Sequence, residues 1–438
     1  MDMTTLSLIG IFASLAFIIF LALRGVGIIV IAPLAVVVVS LFSGMDVLGT
    51  LTGPYMKGFV NYAGKFYLIF LTAAMFGKFM EDSGAARSIA EGLLKVVGRG
   101  SAFTVMIAIS LICMTLTLGG VSLFVVVFAI VPIARPLFKE LNIPWHLFMA
   151  SFMFGNGAIT MCMMPGTPSV LNIMPTKYMA STPTAAPVLG LVGIAVSIVW
   201  CLWYFKRELK KSKDRGEVYE EPVLMGATAA DQYADRKLPN VWISLLPPVC
   251  LILSLNVLKV DIVWALVIGS VVAIGVFWPQ YKNLMDTVNK GALNTVVPVI
   301  NTCADVGYGM AVAASAGFAV VSDILLNLPG HPIVSLSIAV NLMAGITGSA
   351  SGGLGIVLET LAPKYLALGL HPELVHRIAV ISAGTFDALP HNGVVITSLA
   401  VCGLTHKNAY RHIWWVHVLC SLVALLVIVP LGIVMYGK

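Results

Sequence analysis

Thr115-Leu-Thr-Leu-Gly-Gly-Val-Ser122 and Thr347-Gly-Ser-Ala-Ser-Gly-Gly353 are the two stretches on which the reading of this chain turns. Each is rich in glycine and hydroxyl groups, carries no charge, and interrupts an apolar segment. In the next apolar segment a proline-broken interruption follows each one: Asn156 to Pro168, then Gly384 to Gly393. Unwound backbone survives in hydrocarbon only where protein buries it or it lines a cavity, because its N–H and C=O groups find no other partners there. Four interruptions paired by half point to one central ligand site and to a secondary transporter.

The composition sets the class around these tips. The chain is 59% hydrophobic and 11% charged, far from the roughly 25% charged residues of soluble domains. Uncharged runs such as Leu6–Leu23, Val26–Ser43, Ala185–Phe205, Val241–Val257, Ile262–Trp278 and Ile413–Tyr436 approach the ~20 residues of an apolar span. The first run lacks a basic leader and a small-residue cleavage site, so it is expected to be retained. Seven cysteines in apolar segments show neither CxxC nor Cys/His metal spacing and are expected as free buried thiols, with no metal and no cofactor. The net charge of +6 gathers in short loops, chiefly from Lys206-Arg207 through Arg215; this is the positive-inside pattern and implies no nucleic acid.

The hydrophilic stretch Lys206–Pro239 divides the chain into halves. A shift of 232 positions superimposes Ser83, Glu91, Leu93-Leu94 and Gly98 on Ser315, Asp323, Leu325-Leu326 and Gly330. Each half then reads in the same order. The first, 1–205, has a scaffold (1–80), an interfacial helix (84–97), a hairpin (101–138), a broken span (146–175) and a span (185–205). A cytoplasmic loop, 206–240, leads to the second half, 241–438: scaffold 241–314, interfacial helix 317–328, hairpin 332–370, broken span 376–403 and span 413–436. The expected fold is an all-α polytopic membrane protein. If the hairpins are re-entrant, each half crosses five times, and an odd number inverts the second half. The arms Ser101–Met114 and Pro332–Ile346 would rise ~21 Å as helices, short of the ~30 Å hydrocarbon core.

With the central loop inside, 19 of the 26 Lys and Arg residues are cytoplasmic. Lys57, Lys65, Lys177, Lys259, Lys364, Arg377 and Lys438 then lie on external segments, and both termini face outward.

Phe386-Asp-Ala-Leu-Pro-His-Asn-Gly-Val-Val-Ile-Thr397, followed by Cys402-Gly-Leu-Thr-His406, resembles the GntP family of gluconate-type permeases within the ion transporter superfamily. The two tips fall where that family's hairpins would. The resemblance implies a bacterial inner-membrane symporter for a small organic anion and protons, a homodimer in lipid with a static scaffold and an elevator-like mobile unit. Where gluconate-type members typically carry Pro-Pro-His-Pro, this chain reads Met163-Met-Pro-Gly-Thr-Pro168. Loss of that histidine, with Met161, Met163 and Met164 alongside, shifts the expected substrate from gluconate toward 3-hydroxybutyrate or a related short hydroxy acid.

No Arg or Lys lies in the four interruptions, so backbone N–H groups after Gly119-Gly120, Gly166-Thr167, Gly352-Gly353 and His391-Asn392 are the expected donors to the substrate carboxylate. Side chains of Thr117, Ser122, Asn156, Thr167, Ser349, Ser351 and Asn392 are candidates for the carboxylate and hydroxyl. Taken singly, each such residue also fits close helix packing or a local carbonyl bond. Asp387 and His391, four apart, could share a helical face across Pro390 and carry the proton, or cap the broken helix instead. Asp305 is expected to be structural within the scaffold, and His371, His376, His406, His412 and His417 flank spans, mostly at the interface.

Three rivals remain. Sodium coupling would use oxygens at the tips, although neither tip has the Ser-Asn-Thr triplet of related sodium carriers. A passive anion channel usually arranges its loops around an axis of like subunits. An enzyme would need a G-x-S-x-G elbow, an H-E-x-x-H pair or a metal cluster, and the sequence has none.

Overall fold

The computed structural model describes residues 2–24, 26–97, 100–119, 123–222, 238–390 and 392–437, and every regular element among them is helical. Gly120, Ser122, His391, Gly98, Arg99 and residues 223–237 of the central loop therefore lie outside the described residues. Among the described residues, five helices are long and apolar enough to cross a membrane: Met3–Leu21, Val47–Asp82, Pro187–Asp214, Leu284–Ala313 and His406–Tyr436.

The order of elements recurs. Met3–Leu23, Ile28–Phe42, Met56–Asp82, Ala85–Val97 and Ala102–Leu118 are followed, at an offset near 232 positions, by Leu246–Asn256, Ile262–Val276, Val296–Ala313, Ala316–Leu326 and Pro332–Thr347. The halves interlock: Ala85–Val97 packs on Val241–Ser244, and Ala316–Leu326 packs on Met3–Leu23.

Two groups of helices form. In one, Val296–Ala313 lies along Met56–Asp82 and Ile28–Phe42, with Ile262–Val276 against Met56–Asp82. Glycine permits the close crossing, since a β-carbon on Gly58 would lie 2.9 Å from the Val306 carbonyl and one on Gly307 2.8 Å from that of Tyr55. In the other, Pro332–Thr347 packs on Pro372–Phe386, Ala102–Leu118 on Phe154–Met163, and Pro187–Asp214 on Cys420–Tyr436. The helix Ala350–Thr360 rests on Val296–Ala313 and joins the groups.

Element boundaries differ from the sequence expectations in ways that matter for the site. The first hairpin arm runs to Leu118 rather than Met114, so its 17 residues rise ~25 Å. The arm Pro332–Thr347 and the second broken span, which begins at Pro372 rather than 376, start alike. Proline occupies the first turn and the preceding histidine caps it, His331 Nδ1 accepting from the Ile333 amide (3.2 Å) and His371 Nδ1 from that of Glu373 (3.3 Å). Among the described residues three π-helical segments, Leu51–Tyr55, Phe154–Met163 and Trp414–Leu419, have no signature in the apolar pattern; such segments often mark functional sites.

Four expectations about charge placement are corrected. Arg377, expected on an external segment, is fully buried, as are His376 and His412, expected like His417 near the interface, while His417 is 3% exposed. Because the helix starts at Pro372, position 377 already lies a turn inside it, and the Ser181–Ala185 segment folds over the guanidinium. Nε and Nη2 of Arg377 donate to the Ala185 carbonyl (3.0 and 2.9 Å), Nη2 to Pro183 (3.2 Å), and Nη1 to Asn172 Oδ1 (3.0 Å). His376 Nδ1 meets the Ser181 hydroxyl at 2.9 Å. His412 stacks on His146, their facing nitrogens 2.8 Å apart, and its other nitrogen meets Tyr204 Oη at 2.8 Å. The seven cysteines are free; Cys250 is half-buried and the others buried.

Candidate substrate site

The second tip is built around Gly348. It ends the arm Pro332–Thr347 in a left-handed conformation (φ +63°), which costs glycine little. Ser349 then turns extended and caps Ala350–Thr360, its Oγ accepting from the Gly352 amide (3.1 Å) while its carbonyl accepts from Gly353 (2.9 Å). The two amides singled out in the sequence are thus engaged inside the helix. The donors without intrahelical acceptors are those of Ala350 and Ser351, at the positive end of the helix dipole. The hydroxyls of Ser349 and Ser351, both half-buried, stand beside them.

Behind this tip lies Asp305, 2% exposed. A β-carbon on Gly352 would sit 2.6 Å from its Oδ2, and Ser349 stands close enough to its carboxylate to favour the charged form. On the same helix, Thr302 Oγ1 lies 3.2 Å from Ser351 Oγ. Sequence reasoning placed Asp305 in the supporting helices and stopped there. That helix delivers it to the tip, a long-range contact with no local signal.

Each tip is tied to the break in its own half. Asn392 Nδ2 donates to the Gly348 carbonyl (2.6 Å), while Asn392 Oδ1 accepts from the amides of Val394 (2.6 Å) and Val395 (3.1 Å), capping Gly393–Val401. In the first half the hydroxyls of Thr117 and Thr160 lie 2.5 Å apart, and a β-carbon on Gly155 would meet the Ser110 carbonyl at 2.3 Å. Gly119 closes that tip against Pro248. Asn156 is fully buried within the π-helical segment, and so is Thr167 beyond it; Thr167 Oγ1 has no hydrogen-bond partner among the described residues. Gly166 adopts φ +79°, its amide donating to Pro183 (2.9 Å) and its carbonyl accepting from Asn256 Nδ2 (2.7 Å).

The two breaks meet each other at Cys162 and Gly384, where a β-carbon on Gly384 would lie 2.0 Å from the thiol sulfur. One turn on, Asp387 Oδ1 lies 3.1 Å from His417 Nε2, so the partner seen for this carboxylate is a histidine 30 residues later. Arg377 supplies a buried positive charge behind both breaks, reaching the Cys162 carbonyl at 3.4 Å as well. The interruptions, which contain no Arg or Lys, therefore have a fixed cation beside them. Together the stretches present hydroxyls, helix-start amides and an acid–histidine pair, groups that bind an anion and exchange a proton. Among the described residues no group of three or more His, Cys, Asp or Glu side chains is placed to hold a metal ion.

These features define a polytopic membrane transporter. Residues 6–263 match the GntP family permease model. A transporter of Bacillus subtilis (strain 168), YxjC, described as uncharacterized, is 33% identical over 452 residues, covering 93% of this chain and 95% of that protein. An uncharacterized transporter of Haemophilus influenzae is 26% identical over 329 residues, covering 73% of this chain and 74% of that protein. Among solved structures, Neisseria gonorrhoeae MtrF, presented as illuminating a class of antimetabolite efflux pumps, aligns with a TM-score of 0.54 at 12% identity, covering 89% of this chain and 85% of that one. That likeness concerns the fold. The chain belongs to the GntP permease family, and it is a secondary transporter of the membrane, not an enzyme.

Proposed function

We propose that the protein is a proton-coupled symporter of a small organic monocarboxylate, with 3-hydroxybutyrate or a similar short hydroxy acid favoured over gluconate. The carrying observation is the convergence of the four interruptions through Thr117–Thr160, Gly348–Asn392 and Cys162–Gly384. The carboxylate would take the amides of Ala350 and Ser351 and the hydroxyls of Ser349 and Ser351. Met161, Met163 and Met164 at the first break favour a compact, less hydroxylated chain.

The recurrence of elements supports two inverted repeats. In an elevator-type cycle the group containing Met56–Asp82 and Val296–Ala313 would act as the scaffold, while the hairpins, broken spans and closing spans would move. Small interhelical contacts such as Gly352 on Asp305 would slide in that cycle. A homodimer in a bacterial inner membrane, with both termini outside, completes the reading.

The test is purified protein in liposomes given labelled 3-hydroxybutyrate or gluconate under imposed proton gradients. Accumulation of 3-hydroxybutyrate driven by protons is the expected result. Gluconate alone would overturn the substrate, and uptake indifferent to the proton gradient would overturn the coupling. One observation favours a second reading: Asp305 with the oxygens of Ser349, Ser351 and Thr302 is an oxygen-rich cluster of the kind sodium uses. A sodium gradient at fixed pH separates the two.

A further inference from the structure

We propose that His417, held by Asp387, is the residue that takes up and releases the coupled proton. The inference rests on the proton-coupled reading above and names the group that performs it.

His417 sits in the π-helical segment Trp414–Leu419, which displaces the ring from the regular face of the closing span. Its Nε2 lies 3.1 Å from Asp387 Oδ1 at the end of Pro372–Phe386. Its Nδ1 is buried and has no hydrogen-bond partner among the described residues. The ring faces Gly157 in the first break, where a β-carbon would lie 2.4 Å from Cε1 and 2.6 Å from Nδ1. Three elements that belong to both halves of the chain thus meet on one imidazole.

The chemistry follows from the tautomer. A carboxylate accepting from Nε2–H leaves Nδ1 as a bare lone pair. A proton arriving there forms an imidazolium against the carboxylate, and the pair changes from one negative charge to none. A proton and a monoanionic substrate bound together then give the mobile unit the same charge as when empty. The complete cycle is therefore electroneutral for one proton per anion. Neighbouring titratable groups are engaged elsewhere. Arg377 is committed to carbonyls and Asn172, Tyr410 Oη donates to the Ala388 carbonyl (3.1 Å), and His412 is held by His146 and Tyr204. Cys201, on the facing helix, points to the Cys420 thiol and the Val416 carbonyl. Cys162 lies close enough to interact electrostatically with Asp387 and is the nearest competitor.

The experiment compares two rates in liposomes with labelled 3-hydroxybutyrate and gluconate: uptake driven by a pH gradient, and counterflow without one. In His417→Gln and Asp387→Asn the ratio of driven uptake to counterflow falls at least tenfold; an unchanged ratio in both overturns the assignment, because a merely structural role lowers both rates together. Cys162→Ala, by contrast, leaves the ratio intact, and a fall as large as that of His417→Gln overturns the choice of carrier. A substrate-independent arm uses protein with 15N-labelled histidine. A ring signal absent from His417→Gln that changes as the pH is varied supports the proposal, and one that stays fixed overturns it. Should the unaltered protein ignore the pH gradient with both acids, the coupling reading fails, while the labelled ring still reports on His417 itself.

Discussion

Gly384 and Cys162 are in contact across the two broken spans, and the contact leaves no room for a β-carbon, which would stand 2.0 Å from Sγ and 3.1 Å from Cβ of the cysteine. Gly384 also departs from helical geometry (φ −81°, ψ 20°), marking the kink before the second break. Gly384→Ala is expected to separate the breaks, costing ~1–3 kcal/mol as overpacking does and lowering uptake by an order of magnitude. Adding Cys162→Ala removes the sulfur but leaves a tight carbon contact, so rescue should be partial. Equal losses in the single and double variants would show that the conformation of Gly384, rather than the contact, matters.

Arg377 holds the first break closed by bonding the carbonyls of Pro183, Ala185 and Cys162 and the side chain of Asn172. Arg377→Met strands the Ala185 carbonyl, whereas Pro183 keeps the Gly166 amide and the Asn172 side chain, at ~1–3 kcal/mol for a group so stranded. Arg377→Lys cannot reproduce the planar fork and should recover only part of the loss. Thermal unfolding of detergent-solubilised protein measures both. A Met variant as stable as the parent would mean that water replaces the guanidinium.

The fate of Arg377 shows where sequence reasoning stopped. The tips were legible because glycine and hydroxyl residues in an uncharged apolar run have a local meaning, and Gly348 and Ser349 behave as that composition suggests. Helix starts were legible where proline marks them, as at Pro332. The partners of Arg377 lie up to 215 residues away, and a basic residue near a span end looks the same whether it faces water or carbonyls. Likewise nothing local distinguishes Asp305 as a neighbour of Gly352, or announces the π-helical turn that brings His417 to Asp387. The family motif centred on Asp387 suggested the near histidine, His391, as its companion, and that residue lies outside the described ones.

Asn392 performs two tasks whose loss is separable. As a cap for Gly393–Val401 it accepts from two amides, and as a tie it donates to Gly348. Asn392→Asp keeps the cap and removes the donor, whereas Asn392→Ala removes both. The alanine variant is expected to lose ~1 kcal/mol more than the aspartate variant, the usual worth of a cap. Both should impair uptake if the tie positions the tip. Full uptake by Asn392→Asp would confine the residue to capping.

Asp261 offers a pH test outside the membrane core. It caps Ile262–Val276 through the Val263 amide (2.9 Å) and pairs with Lys177 (3.0 Å). Partial burial opposes its ionisation, but the Val263 bond and Lys177 outweigh that and hold its carboxyl below the usual aspartate range. A carboxyl depressed in the folded state adds stability above its unfolded value, and that stability disappears as pH falls through the folded value. Unfolding measured from neutral pH down to below the ordinary aspartate range of about 4 should therefore show the parent protein losing an advantage over Asp261→Asn. The two should converge at the acid end, since asparagine keeps the cap and loses only the charge, with a neutral-pH difference of about 0.2–1 kcal/mol expected of a partly exposed ion pair. A difference independent of pH would assign the effect to packing of the side chain and not to its charge.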